Sequence, residues 1–365
     1  MNNERRKRLR VRVIYAVAAA IVAISAVMAY NVYAARQDKA LAPSAGPAGE
    51  AALSAWLADW QWQEGARDLQ EAAAGLDSLQ LFAAYFDESD RLTFTDSFKK
   101  ELSAVREAAA ANPTMRMDLT IVNDILFEDG HESQKDSDLV SRLLAERDER
   151  SRHVNEIMAA ANQYGFGGVE LDYEKIDERD WGRFSLLVFE LYTKLKAQGK
   201  TLRVVLEPRA PVEKLKLPSG PTYVMMAYNL YGNHSEPGPK ADKSFIRKLA
   251  ARLSNLPGDP YLAFATGGFD WTGGKGTATG VTELQAVELA KRSAEPPQRD
   301  ASSGSLKFQY KDDEGVKHTV WYADEQTISW WIELAKLAGH NKVAIWRLGG
   351  LGDGTNQFIS AFQQK

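Results

Sequence analysis

Residues 165–176 read Gly-Phe-Gly-Gly-Val-Glu-Leu-Asp-Tyr-Glu-Lys-Ile and restrict the fold more than any other stretch. Glu170, Asp172 and Glu174 alternate with Val169, Leu171 and Tyr173, the period-two pattern of a strand. Alternation puts the acids on one face and the hydrophobes on the other. The segment follows an amphipathic helical pattern and a Gly-rich approach, as a strand entering an α/β core does. Successive carboxylates on one face stand about 6–7 Å apart, and crowding with partial burial raises the proton affinity of at least one. A carboxyl that stays protonated near neutral pH can act as a general acid. Glu174, nearest the carboxyl end, is the candidate. An exposed edge strand with its acids in water is the alternative.

Strand and helix patterns alternate along the rest of the chain. Strands are expected at Leu53–Trp60, Leu79–Phe86, Met117–Asn123, Gly168–Glu174, Leu202–Glu207, Thr222–Tyr228, Tyr261–Thr266 and Lys342–Arg347. Helical patterns cover Ser97–Ala111, the later part of 136–163, Trp181–Gln198, Lys243–Leu253, Thr282–Arg292 and Glu325–Ala338. This alternation predicts an α/β fold with a parallel sheet and helical crossovers. Eight strands favour a (β/α)8 TIM barrel, although a doubly wound sheet uses the same pattern. Residues 293–322 break the rhythm. Two alternating runs, 306–310 and 318–322, flank a turn at Asp312-Asp313-Glu314-Gly315, so a small inserted β-hairpin is expected before the last helix.

The 365 residues suffice for one large core. A net charge of −4 with both signs intermixed gives no basic face, so nucleic acid is not an expected partner. The chain has no cysteine, and its five His lack ligand spacing, so neither a metal nor another cofactor is expected. The pairs Gly267-Gly268 and Gly273-Gly274 lack the surroundings of a nucleotide loop, and Glu146–Arg152 reads as a solvated helix face. Nothing in the sequence fixes an oligomeric state.

At the start of the chain, Arg5, Arg6, Lys7, Arg8, Arg10 and Arg12 precede an uncharged run over 13–35. That run exceeds the roughly 20 residues needed to span a bilayer. A transmembrane signal-anchor is therefore expected, with residues 1–12 cytoplasmic and the remainder outside the cytoplasm. A signal peptide cut after Val32-Tyr33-Ala34 is the alternative, but its apolar part should be shorter. Residues 36–52 read as a linker, and the globular part as 53–365.

The acidic strand resembles the fourth-strand motif of family 18 glycoside hydrolases, the chitinase-like enzymes, written Asp-x-x-Asp-x-Asp-x-Glu. Gly167, Glu170, Asp172 and Glu174 occupy its four acidic positions, with Gly168 at the family's glycine. The last two match; Gly167 and Glu170 replace Asp. Met225-Met226-Ala227-Tyr228-Asn229 resembles the family's Met-x-Tyr-Asp, with Asn229 in place of Asp. Without the acidic strand, Tyr228 would read as a core aromatic and Asn229 as a turn former. Trp346, at the end of the eighth strand, matches the Trp that floors the family's sugar subsite. Trp60, Trp62 and Trp271 are further candidate cleft walls, and Asn123 and Glu207 fall at strand ends that could line the cleft. Where many chitinases carry Ser-x-Gly-Gly, the third strand has Thr120-Ile121-Val122-Asn123.

The resemblance implies a TIM barrel with its site at the carboxyl ends of the strands. It also implies a retaining hydrolase of β-1,4-linked N-acetylglucosamine-containing polymers, of the bacterial cell-wall or spore type, that works by substrate-assisted catalysis. Glu174 would be the acid/base and Asp172 would orient the substrate's acetamido group. Tyr228 would donate to that group, and Glu170 would sit behind Asp172 and share its proton. Trp346, Asn229, Trp60 and Trp271 would contact substrate. An anchored extracytoplasmic enzyme would meet peptidoglycan first and chitin second. A catalytically weak or silent, lectin-like glycan-binding module is the alternative; retention of both Asp172 and Glu174 speaks against it.

Overall fold

Eight parallel strands close into a barrel in the computed structural model, which describes residues 50–362. They are β1 (Ala52–Ala58), β2 (Ser78–Phe86), β3 (Arg116–Leu126), β4 (Gly168–Asp172), β5 (Thr201–Leu206), β6 (Thr222–Met226), β7 (Tyr261–Ala265) and β8 (Lys342–Leu348). Each strand pairs in parallel with the next, and β8 pairs back onto β1 with Ala55 opposite Ile345. That ring closure separates a (β/α)8 barrel from a doubly wound sheet.

Alternation along each strand divides the core into two layers. Leu53, Ala55 and Leu57 of β1, Val169 and Leu171 of β4, and Val343 and Ile345 of β8 pack outward beneath the helices. Trp56 and Ala58 of β1 and Ala344 and Trp346 of β8 point into the barrel. Glu170 and Asp172 take the inward positions of β4, and both are buried. The edge-strand alternative is thereby excluded.

Seven of the eight strands are followed by helix, and the β5–β6 crossover is made of turns alone. The first strand is shorter than expected. It stops at Ala58, the chain makes a single 3-10 turn at Asp59–Gln61, and the helix Trp62–Ala72 follows. The turn is fastened by Asp59, whose carboxylate accepts from the Tyr85 hydroxyl at 2.7 Å and the Thr95 hydroxyl at 2.6 Å. A buried carboxylate held by two hydroxyl donors sets the strand end more firmly than the Trp-rich composition does.

The lower barrel is polar. Arg203 and Glu170 form an ion pair at 2.8 Å with side chains 1 % and 0 % exposed, and the Arg116 guanidinium grips the Asp118 carboxylate. Gly168 is required here, because a Cβ would stand 2.1 Å from Thr201 Oγ1 and 2.4 Å from Asp118 Oδ1. Gly167 precedes the strand, and a side chain there would press on the Arg116 stem at 2.8 Å. The departure from Asp at position 167 therefore lies at the far end of β4 from its carboxyl terminus.

The insertion is larger than a hairpin. The expected pair, Leu306–Lys311 and Lys317–Ala323, is present, within a five-stranded antiparallel sheet that also takes in Gly267–Trp271, Ala278–Val281 and Gln298–Arg299. It begins directly after β7 rather than at residue 293, and the helix Glu283–Ala290 belongs to it. Its first strand is hidden in the sequence because it opens on glycines. A Cβ at Gly268 would lie 1.7 Å from the Trp321 carbonyl oxygen, so close strand approach selects Gly over a β-former.

The run over 13–35 expected to cross a membrane lies outside the described residues. Among the described residues, no helix is long and apolar enough to do so.

Candidate active site

The carboxyl ends of the barrel strands open into a cleft of about 580 Å³, lined by residues that include Asp172, Glu174, Tyr228, Asn229, Trp60 and Trp346. Strand β4 ends at Asp172, two residues before the expected end, and Glu174 stands on the loop beyond it. That loop is held as firmly as a strand. Asn123 of β3 accepts from the Glu174 N–H at 2.9 Å and donates to the Glu174 carbonyl at 3.0 Å. Lys175 follows in left-handed backbone, φ 54°, and its N–H donates to Glu207 at 2.6 Å. Asn123 and Glu207 thus position the acid-bearing loop.

Three ionisable groups meet at the centre. Lys135 Nζ lies 2.6 Å from Glu174 Oε2. Its own backbone, φ 56°, is pinned by a 2.7 Å bond from its N–H to Asp124. Asp172 is buried beside them, and its Oδ1 has no hydrogen-bond partner among the described residues. Burial pushes the Asp172 carboxyl well above the usual carboxylate range, and the charges of Glu174 and Glu170 push the same way. Burial also raises Glu174; Lys135 opposes the rise and Glu207 adds to it. For Lys135 burial acts downward, but Glu174, Asp172 and Glu207 outweigh it and leave the ammonium raised. Tyr228 is raised well above its ordinary value by burial and by the nearby acids, so its hydroxyl keeps its proton and can donate.

Glu170 differs from the expectation of a proton shared with Asp172. Its Oε1 accepts from Trp56 Nε1 at 2.5 Å and Thr120 Oγ1 at 2.9 Å, and its Oε2 accepts from Arg203 Nε at 2.8 Å. The extra methylene relative to Asp turns this carboxylate down onto Arg203. It acts on Asp172 only through its charge.

Trp346 is propped edge-on by Trp56 and Phe82, with ring centroids 5.8 and 5.1 Å away. Trp60, 55 % exposed, stands over the same cleft. Asn229 is exposed in left-handed backbone, φ 59°, a conformation Asn tolerates better than most residues. It is a turn former that also lines the cleft. Trp271 is corrected: it is fully buried inside the inserted sheet against Phe269 and is not a cleft wall. Trp62 packs against the outer core.

Sequence reasoning missed Lys135, which sits in a charged loop without pattern, and it missed Arg203 and Trp56. For Arg203 a signal existed. An Arg in the middle of an otherwise apolar strand, Leu202-Arg203-Val204-Val205, demands a buried partner.

The family model for glycosyl hydrolases family 18 matches residues 80–350. Among curated proteins, the chain is 25% identical over 228 residues to the uncharacterized glycosylase YvbX of Bacillus subtilis, covering 59% of this chain and 66% of that one. It is 23% identical over 298 residues to a cortical fragment-lytic enzyme of Bacillus anthracis, covering 77% of this chain and 67% of the relative. The chain thus spans about two thirds of the length of these relatives. Among solved structures, the spore cortex-lytic enzyme SleL of Bacillus cereus superposes with a TM-score of 0.72 at 19% identity, over 87% of this chain and 75% of that one. A class V chitinase from Nicotiana tobaccum, crystallised with NAG4, gives 0.68 at 16% identity, over 86% and 99%. At these identities the structural likeness is one of fold.

Proposed function

Because the chain belongs to glycosyl hydrolase family 18, we propose that it is a retaining hydrolase of N-acetylglucosamine-containing polysaccharide, with Glu174 as acid/base. Glu174 gives its proton to the glycosidic oxygen as the bond to the anomeric carbon breaks. The acetamido carbonyl oxygen of the same sugar bonds to that carbon and forms an oxazolinium ion. Glu174, now a carboxylate, takes a proton from water while the water oxygen attacks the anomeric carbon and the bond from that carbon to the acetamido oxygen breaks, which restores the N-acetyl group with configuration retained. Asp172 accepts from the acetamido N–H and balances the positive charge on the ring. Tyr228 donates to the acetamido oxygen, and Trp346 carries the sugar face.

The observation that carries this reading is the pairing of Glu174 with an unpartnered, buried Asp172 Oδ1 in one cleft. Leaving that oxygen unbonded costs about 1–3 kcal/mol, which a substrate N–H would return. The uncharged run over 13–35 behind a basic flank supports an extracytoplasmic catalytic domain, within reach of peptidoglycan before chitin. The test offers purified sacculi and chito-oligosaccharides to the wild type and to Glu174→Gln. The variant is expected to lose about 10²- to 10⁴-fold in turnover while still binding, and the first product anomer seen by NMR should keep the β configuration. Full activity in the variant removes Glu174 from the role; binding without turnover in the wild type means a lectin.

A further inference from the structure

The groove does not end at Trp346. A second hollow of about 550 Å³ shares Trp60, Asn229 and Trp346 with the first and continues toward the inserted sheet. Its wall carries two half-buried cations, Lys240 and Arg347. Lys240 Nζ donates to the Thr266 carbonyl at 2.8 Å and lies 5.1 Å from the Phe269 ring centroid. Arg347 donates to the Gln61 side chain, and its guanidinium lies 5.4 Å from the Trp60 ring centroid. Neither forms a salt bridge with a carboxylate of the described residues. The one acid lining this hollow, Glu64, pairs with Arg67 at 3.2 Å.

Two like charges in a partly desolvated wall, without a counter-ion, are unfavourable unless something negative arrives. The strain is visible in Lys240, which burial, and then the charge of Arg347, lower to about 7. Burial lowers Arg347 as well. Both side chains are also oriented: a carbonyl and an aromatic face hold the ammonium, while an amide and an indole hold the guanidinium. A pre-oriented lysine and arginine, neither of them paired with an acid among the described residues, match the recognition of an oxyanion. The hollow adjoins Trp346, so that anion belongs to a unit next to the sugar on that ring.

We propose that Lys240 and Arg347 form a subsite for a carboxylate carried by the glycan, and that this subsite makes the chain prefer muramyl glycan over neutral chitin. The proposal rests on the glycan-hydrolase reading and refines it by naming the substrate class. Two sources supply such a carboxylate: the 3-O-lactyl group of a peptide-free muramic acid, or the acid groups of a stem peptide when the lactyl group is amidated.

The test measures affinity of the full chain by calorimetry for three oligosaccharides of equal length: neutral chito-oligosaccharide, peptide-free muramyl glycan and peptide-bearing muramyl glycan. In the wild type at least one acidic glycan should bind more tightly than the neutral one. Lys240→Met and Arg347→Met should each reduce that acidic-to-neutral affinity ratio about tenfold to a hundredfold, the scale of a charge-assisted hydrogen bond. Lys240→Arg and Arg347→Lys should retain most of it, which separates loss of charge from loss of fold. A drop confined to the peptide-free glycan assigns the lactyl carboxylate; a drop confined to the peptide-bearing glycan assigns the stem. A wild-type ratio of one, or a ratio the methionine variants leave unchanged, overturns the proposal. Because binding is the readout, an absence of hydrolysis in the wild type would count against the hydrolase reading and leave this test intact.

Discussion

Arg203→Met offers the sharpest test of how the barrel interior supports the site. Arg203 and Glu170 are 1 % and 0 % exposed and bonded at 2.8 Å, so the substitution strands a buried carboxylate. Breaking one side of such a pair costs about 3–5 kcal/mol, or about 6–10 °C in melting temperature at about 2 °C per kcal/mol for a domain this large. Glu170 would keep its bonds from Trp56 and Thr120, which places the expectation nearer 3 than 5 kcal/mol. The double variant Arg203→Met/Glu170→Gln removes the orphaned charge and should recover most of the loss, leaving about 1–2 kcal/mol for missing hydrogen bonds. The Arg203 guanidinium also lies 5.7 Å from the Trp56 ring centroid, and Trp56 props Trp346, so KM should rise in the single variant. Thermal and urea unfolding of the two variants against the wild type decide the matter. A single variant within 1 kcal/mol of the wild type, or a double variant no better than the single, refutes the argument.

Two further outcomes follow from the charges in the cleft. Lys135→Met removes the cation that holds Glu174 down, so the general acid keeps its proton to higher pH and the alkaline limb of kcat/KM should move upward; a limb that stays or moves down contradicts the pairing. Asp172→Asn should stabilise the fold while abolishing turnover. A carboxyl whose folded-state pKa is raised weakens the fold as pH climbs from about 4 through that raised value, so the thermal gap between variant and wild type should widen over that range and vanish below it.

What was legible in the sequence was what period and spacing encode. The eight strands were placed to within a few residues because short apolar runs alternate with longer helical patterns and turn residues. The acidic run of β4 announced the cleft because three acids on a core strand need a reason. Tyr228 and Trp346 were legible only through the family resemblance of their segments, and both line the cleft. Lys135 was not, since its place beside Glu174 depends on a loop fastened by Asp124 and on a left-handed backbone that no local pattern marks. Trp271 misled because an indole suits a buried sheet as well as a sugar face. The inserted sheet was read as a hairpin because its first strand, Gly267–Trp271, begins with glycines selected by close approach rather than by β-propensity.

The energetics of the cleft also bear on the choice between hydrolase and lectin. A module that only holds a glycan is served by Trp346, Trp60 and the Tyr228 hydroxyl, all compatible with a stable fold. The chain keeps, in addition, a buried carboxyl oxygen on Asp172 with no partner among the described residues, a second raised carboxyl on Glu174 and a lysine in left-handed backbone paired with Glu174. The unbonded carboxyl oxygen of Asp172 alone costs about 1–3 kcal/mol in a resting protein, and none of these groups improves stacking on a neutral sugar. Such groups are useful where charge and protons move during a reaction. Asp172→Asn and Glu174→Gln separate the two readings through this imbalance. In a hydrolase both lose turnover while stability holds or rises, whereas in a lectin neither change alters what the cleft does.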